Sequence, residues 1–333
     1  MSDIRFPAEW EAHARTWMVW PHRQAMWAPD LAAVQADYAR IATSIARFEP
    51  VRMIADPKGE AAARAQCGDG VEVVTYPVDD SWFRDTGPSF VIRDGEKAGV
   101  DWRFNAWGEK TGTWTKDAAL AERVLSDLGL ARIASPLFAE GGGLNSDGRG
   151  TVLTTDTVML NPNRNPGLTR AEVETEFARV LGARKVISLP GNPFETGTDG
   201  HVDGIACFTA PGKVLAEIDP MAEAEEAAVA QSNLDMLAAA TDAEGRVLEI
   251  KLLQAARRRT VDTTENFEFC NAYINFYICN GAVIMPGYDE PSDAPARAVV
   301  QAAFPDREIV QIPIPALATG GGGIHCVTQQ EPA

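Results

Sequence analysis

The sequence lacks the residues on which several broad functional classes depend. Histidines number four and cysteines five in 333 residues, and no CxxC, HExxH or Cys/His cluster occurs. Neither a metal centre nor a cofactor is therefore expected. The cysteines (Cys67, Cys207, Cys270, Cys279 and Cys326) are odd in number and have no close pair. That argues against a disulfide framework and for a reducing cytoplasm. Basic residues are also scarce, with 30 Lys and Arg against 47 Asp and Glu and a net charge of −17. A nucleic-acid surface needs clustered cations, so that class is set aside, whereas an acidic field favours cationic ligands or simply keeps a protein in solution. No run approaches 18 apolar residues, and Asp3, Glu9 and Glu11 interrupt the N-terminal stretch. A membrane span and a signal peptide are both unexpected. Phosphate-binding fingerprints are missing too. Gly320–Gly323 lacks the Lys-Ser/Thr of a phosphate loop, and Glu140-Gly141-Gly142-Gly143 lacks a strand-then-helix context.

What is present is an ordinary globular composition, 45% hydrophobic and 23% charged. Length alone leaves open one large domain or two. Helical patterns cover 30–47, 116–128, 169–181, 221–240 and 294–303. Strand-like runs cover 51–54, 71–76, 90–92, 151–153, 186–189, 204–208, 214–216, 272–278, 282–285 and 308–312. Their alternation predicts an α/β protein.

The polar segments recur at similar distances. Asp85 to Glu140 is about 55 residues, Glu140 to His201 about 61, and His201 to Cys326 about 125, close to two such steps. Five units of about 67 residues, each delivering one segment to a common centre, account for the pattern. The unmarked step falls near 273–280.

Cys326 follows four glycines in Gly323-Ile324-His325-Cys326. A lone cysteine is ordinarily a small buried hydrophobe, but a glycine-rich turn is a poor core strand and suits close approach to a ligand. His325, adjacent on an extended chain, would point to the opposite face and is not expected to partner Cys326. His201 and Asp203 share one face if 200–208 is extended, and form a candidate proton shuttle with a ligand carboxylate. A structural turn histidine is the alternative. Asp85, in Trp82-Phe83-Arg84-Asp85, is either a second ligand carboxylate or half of a surface ion pair with Arg84. Glu140 before three glycines is a candidate acid–base group or a bare loop charge. Trp82 and Trp107 offer aromatic faces to a cation or serve as core. Together these residues are one thiol, one histidine and three carboxylates. Two carboxylates can fork around a planar guanidinium while a thiolate attacks its carbon and a His–Glu pair moves protons.

The stretches 16–21, 80–88, 104–108, 140–142, 198–203 and 321–332 together resemble the agmatine deiminases. These are a branch of the Porphyromonas-type peptidylarginine deiminase family within the guanidino-group-modifying superfamily. Gly323 and Gly204 depart from the family pattern, in which an Asn and an acidic or amide residue are usual. The resemblance implies one catalytic domain over 1–333, a pentein-type five-fold pseudosymmetric α/β propeller of ββαβ modules, and a homo-oligomer. It further implies that Cys326 forms an amidino-cysteine, Asp85 and Asp203 clamp a small cationic guanidino substrate, and His201 shuttles protons with Glu140. The implied reaction is agmatine plus water giving N-carbamoylputrescine and ammonia, a step toward putrescine. Alternatives are arginine or peptidyl arginine as substrate, or a non-catalytic guanidinium-binding protein.

Overall fold

The computed structural model describes residues 3–25, 27, 30–257 and 269–333. Among these residues the chain forms five separate open sheets of mixed α/β architecture. Every sheet contains the same arrangement of three strands. A first strand pairs antiparallel with a second, and a helix then returns the chain so that a third strand lies parallel to the second. A parallel neighbour cannot be reached by a tight turn, so the crossover helix is a geometric necessity.

In one sheet Ser89–Arg93 and Glu96–Arg103 are antiparallel and Ala131–Phe138 is parallel, bridged by the helix Leu120–Leu128. The next holds Asn145–Ser146, Thr151–Thr155 and Lys185–Leu189, bridged by Arg170–Leu181. A third holds Ala206–Ala210, Lys213–Ile218 and Glu249–Gln254, bridged by Ala224–Ala239. A fourth holds Tyr277–Cys279, Ala282–Gly287 and Glu308–Pro313, bridged by Asp293–Ala303. The last joins the chain ends. The C-terminal strand Thr328–Pro332 pairs antiparallel with His13–Val19, and Leu31–Ile45 bridges to the parallel Val51–Ala55. Val71–Thr75 extends this sheet, and Ile4–Arg5 extends the first one.

Local chemistry accounts for the helices. Leu31–Ile45 buries Val34, Tyr38, Ile41, Ala42 and Ile45, one stripe at helical spacing, and the Asp30 side chain caps it by accepting from Ala33 N. Arg170–Leu181 starts on a Thr169/Glu172 capping box and ends at Gly182 in the left-handed conformation. The expected segments 30–47, 169–181 and 294–303 thus correspond to real helices. The expected helix 116–128 divides into a tight turn, Asp117–Ala119, and the helix Leu120–Leu128.

Two of the expected strands need correction. The strand expected at 204–208 begins at Ala206, because Val202–Gly204 forms a 3-10 turn closed by Ile205 N donating to Val202 O. The strand expected over 272–278 shrinks to Tyr277–Cys279, since Asn275 N bonds back to Ala272 O. The strand His13–Val19 and the helix Glu60–Cys67 were not expected at all. His13–Val19 is buried at most positions and so lacks the alternation that marks a half-exposed strand. Among the described residues, no helix is long and apolar enough to cross a membrane.

Candidate active site

In all five sheets the segment just before the first strand is a short turn, and these five turns carry the polar residues. They are Phe83–Thr86, Gly141–Gly143, Val202–Gly204, the bend at Asn275, and His325–Val327. The unmarked fifth step of the sequence is filled by Asn275. Its Oδ1 accepts from the backbone N–H groups of His325 (3.0 Å) and Cys326 (3.3 Å), while its Nδ2 donates to Cys326 Sγ at 3.2 Å.

Gly142 marks the point of convergence. A Cβ placed on it would lie 2.6 Å from His201 Nδ1, 2.9 Å from Asp203 Oδ2 and 3.0 Å from Asp85 Oδ1. Three predicted site residues from two different turns therefore meet around one backbone atom of a third turn that carries no side chain. Cys326 joins them with Sγ 3.6 Å from Asp203 Oδ2. Glu140, fully buried, places Oε2 3.3 Å from His201 Nε2. Cys326 is the least buried of the five.

Asp85 is held on both oxygens. Gly142 N donates to Oδ1 at 2.9 Å, and the Trp107 indole Nε1 donates to Oδ2 at 2.9 Å. Trp107 reaches this position from an unusual backbone. Ala106, Trp107, Gly108 and Glu109 all have positive φ, at 54°, 56°, 91° and 63°. A left-handed turn of L-residues is strained, and such strain persists where surrounding structure enforces it. Here the indole is directed onto Asp85 by its N–H. Trp82 packs on Trp27 with ring centroids 5.3 Å apart, and its ring closes on Gly322, where any Cβ would sit 2.3 Å from it. Asp85 does not form the surface ion pair considered for Arg84. Arg84 is buried, 3.6 Å from Glu9, and donates from Nε to His325 O at 3.3 Å.

The extended backbone assumed for 200–208 begins only at Ala206, and that around His325 is replaced by a 3-10 turn, yet convergence survives. His201 is the N-cap of the 3-10 turn that holds Asp203, and both side chains reach Gly142. Neighbours in such a turn need not point apart. His325 Nδ1 bonds Asp203 Oδ2 at 2.9 Å, the same oxygen that Cys326 Sγ approaches.

The electrostatics divide the groups. Burial pulls the His201 pKa down, but the carboxylates of Asp85, Glu140 and Asp203 outweigh it and push it up to about 9. Burial raises Glu140, while the Arg164 guanidinium and His201 overcome this and hold it down at about 2. Burial, followed by repulsion from Asp203, lifts the Cys326 thiol well above its ordinary value. At neutral pH the centre therefore holds an imidazolium, carboxylates and a neutral thiol. Burial, Asp203, Cys270 and Asp85 all disfavour its thiolate.

Arg164 went unrecognised in the sequence. It lies in the turn-dense run Asn161-Pro162-Asn163-Arg164-Asn165-Pro166, where a single long cation among turn residues was the available signal. Its side chain is wholly buried and donates from Nε to Glu140 Oε1 at 2.8 Å and from Nη2 to Thr198 O at 3.0 Å, and it is ion-paired with Asp199. Removing one partner of a buried pair strands the other charge. Arg164→Met should cost about 3–5 kcal/mol in denaturant unfolding. Adding Glu140→Gln should recover part of the loss, and an additive double variant would refute the coupling.

A cavity of about 450 Å³ opens from His201, Asp203, Asn275 and Cys326. It passes Gly204, where an added Cβ would meet nothing within 4 Å, and its walls carry Glu195, Glu217, Asp219 and Glu226. No Lys or Arg is among the described residues lining it.

The sequence model of the Porphyromonas-type peptidyl-arginine deiminase family matches residues 5–332. The agmatine deiminase of Pseudomonas aeruginosa (strain LESB58) is 41% identical to this chain, covering 99% of it and 96% of that protein. That of Stutzerimonas stutzeri (strain A1501) is 39% identical, covering 98% and 95% respectively. A solved structure of the agmatine deiminase of Enterococcus faecalis superposes with a TM-score of 0.94 at 33% identity, covering 99% of this chain and 96% of that one.

Proposed function

The chain belongs to the Porphyromonas-type peptidyl-arginine deiminase family, and on that premise we propose that it hydrolyses agmatine to N-carbamoylputrescine and ammonia. The observation that carries the reading is the meeting of a histidine and two carboxylates around the bare Gly142, with the Cys326 thiol 3.6 Å from one of those carboxylates.

In this reading Asp85 and Asp203 accept hydrogen bonds from the guanidinium and hold its carbon against Cys326 Sγ. The substrate cation also brings a positive charge beside the sulfur. It offsets the two carboxylates that raise the thiol, so the proton leaves to solvent as the substrate settles and a thiolate forms. Attack on the guanidinium carbon makes the C–S bond. His201 then donates its proton to one nitrogen, the C–N bond breaks, and ammonia departs from an amidino-cysteine. Neutral His201, oriented by Glu140, next takes a proton from water as the water oxygen attacks the same carbon. The C–S bond breaks, the thiolate is restored, and the protonated urea gives up its extra proton as the carbamoyl product forms.

The cavity favours agmatine over arginine. Glu195 in its wall suits a terminal ammonium better than an α-carboxylate, and no Lys or Arg is among the described lining residues. Ammonia release with the two substrates in parallel tests this. We expect kcat/KM for agmatine to exceed that for arginine by at least about a hundredfold, as for a charge buried without a partner. Preference for arginine would overturn the substrate while keeping the chemistry.

We further propose that the five sheets surround one axis as a five-bladed propeller forming a single catalytic domain. The shared strand order and the five converging turns support that arrangement. The five cysteines are free, which fits a cytoplasmic enzyme, and we expect a homo-oligomer that needs no nucleic acid.

A further inference from the structure

Behind Asp203 lies a line of buried charge that the reaction above does not use. His325 Nδ1 is 2.9 Å from Asp203 Oδ2, and its Nε2 is 3.0 Å from Glu9 Oε1 and 3.2 Å from Oε2. Glu9 comes from the N-terminal segment, is buried, and is also 3.6 Å from Arg84 Nη1 and 3.4 Å from Asn145 Nδ2. An imidazole with a carboxylate on each nitrogen can satisfy both only by donating from both, which requires the cation. A neutral ring would face one carboxylate with a lone pair.

We infer that His325, braced by Glu9, is a positioning residue that holds Asp203 ionised and correctly turned for the substrate cation. This rests on reading the centre as a guanidinium-hydrolysing site. The Asp203 oxygen that His325 holds is the one nearest Cys326 Sγ and the Gly142 vertex. With His325 bonded to it, that carboxylate cannot rotate away from the centre, nor readily take up a proton of its own.

The charges facing this pair come from every neighbouring element. Arg84, on the short helix before Ser89–Arg93, opposes protonation of His325, as burial does. Glu9 and Asp203 outweigh both and raise the His325 pKa. Burial raises Asp203, and the hydrogen bond and charge of His325, with help from His201 and Arg84, bring it below its ordinary value. Cys326 and Cys207 adjoin as thiols, and Asp85 faces Asp203 across Gly142. Removing the Glu9 charge leaves Asp203 alone to oppose burial and Arg84 at His325. The ring then sheds its proton at lower pH, and Asp203 loses its counter-charge.

The experiment uses the full chain, His325→Gln and the isosteric Glu9→Gln, which serves where the first does not fold. Nitrogen-15 NMR of histidine-labelled protein reads the ring directly, since there are four histidines to distinguish. We expect His325 doubly protonated at neutral pH, with its titration moved to lower pH in Glu9→Gln. In both variants KM for agmatine should rise about tenfold, and the acid limb of kcat/KM should move up by about one pH unit, because Asp203 now protonates sooner. A purely structural role would lower the melting temperature without moving KM or the acid limb. A bare ring nitrogen on His325 at neutral pH overturns the inference whether or not the protein turns over agmatine. Unchanged KM and acid limb in folded variants overturn it equally. Absence of agmatine turnover in the unaltered protein would instead refute the proposed function and leave the NMR result to decide the bridge.

Discussion

Cys326→Ser is expected to abolish ammonia release, by on the order of 10⁴-fold or more, while leaving the protein folded. The substitution changes one atom at a half-buried position whose neighbours, Asn275 Nδ2 at 3.2 Å and Asp203 Oδ2 at 3.6 Å from Sγ, can hydrogen-bond a hydroxyl as well. Stability should therefore hardly move. Reactivity is another matter. The thiol already needs the substrate cation to ionise, because burial and the nearby carboxylates raise it. A serine hydroxyl is far less acidic, and the same cation cannot bring it within reach of neutral pH. Intact-mass measurement during turnover should show a covalent adduct on the unaltered protein and none on the variant. Near-normal turnover by Cys326→Ser would remove Cys326 from the mechanism.

Gly142→Ala should be nearly as damaging although it alters no functional group. The added methyl would fall 2.6 Å from His201 Nδ1 and 2.9 Å from Asp203 Oδ2, closer than real Cβ atoms come, and 3.0 Å from Asp85 Oδ1, a tight contact. None of these three can easily yield. His201 is tied to Glu140, Asp203 to His325, and Asp85 to both Gly142 N and the Trp107 indole. The backbone must shift instead, and a displacement of about 1 Å in such a centre can cost about a hundredfold in rate. We expect kcat/KM for agmatine to fall by about a hundredfold or more, with a melting temperature lower by several degrees because the strain is buried. A variant with full activity would mean that the groups converge elsewhere than around Gly142.

The other four cysteines show why residue type alone did not identify the nucleophile. Cys67, Cys207 and Cys279 are buried and Cys270 is half-buried, and in each of these four burial raises the thiol. Cys326 shares that upward shift. What separates it is position: it stands in the turn before Thr328–Pro332, facing Asn275 and Asp203. Its setting after four glycines hinted at this, and the near-regular spacing from Asp85 to Glu140 to His201 hinted at repeated units. Asn275 and Arg164 gave weaker signs. An asparagine beside a strand and an arginine in a loop are ordinary in any sequence, and their roles arise from partners about 50 and 24 residues away.

By itself, the sequence determined the chemical inventory. The lack of cysteine pairs, clustered cations and long apolar runs directed expectation toward an acidic globular protein, and helical periodicity placed the crossover helices because burial of one face is a local demand. It also supplied the polar groups that the reaction needs. Tertiary structure decided how those groups meet. The pairing of Thr328–Pro332 with His13–Val19 fixes Cys326 and Glu9 near one centre from opposite ends of the chain. Packing likewise turned Trp107 onto Asp85 and set His325 behind Asp203. Such contacts depend on distances between remote segments and on charge burial in a shared low-dielectric interior, which no local pattern of residues encodes.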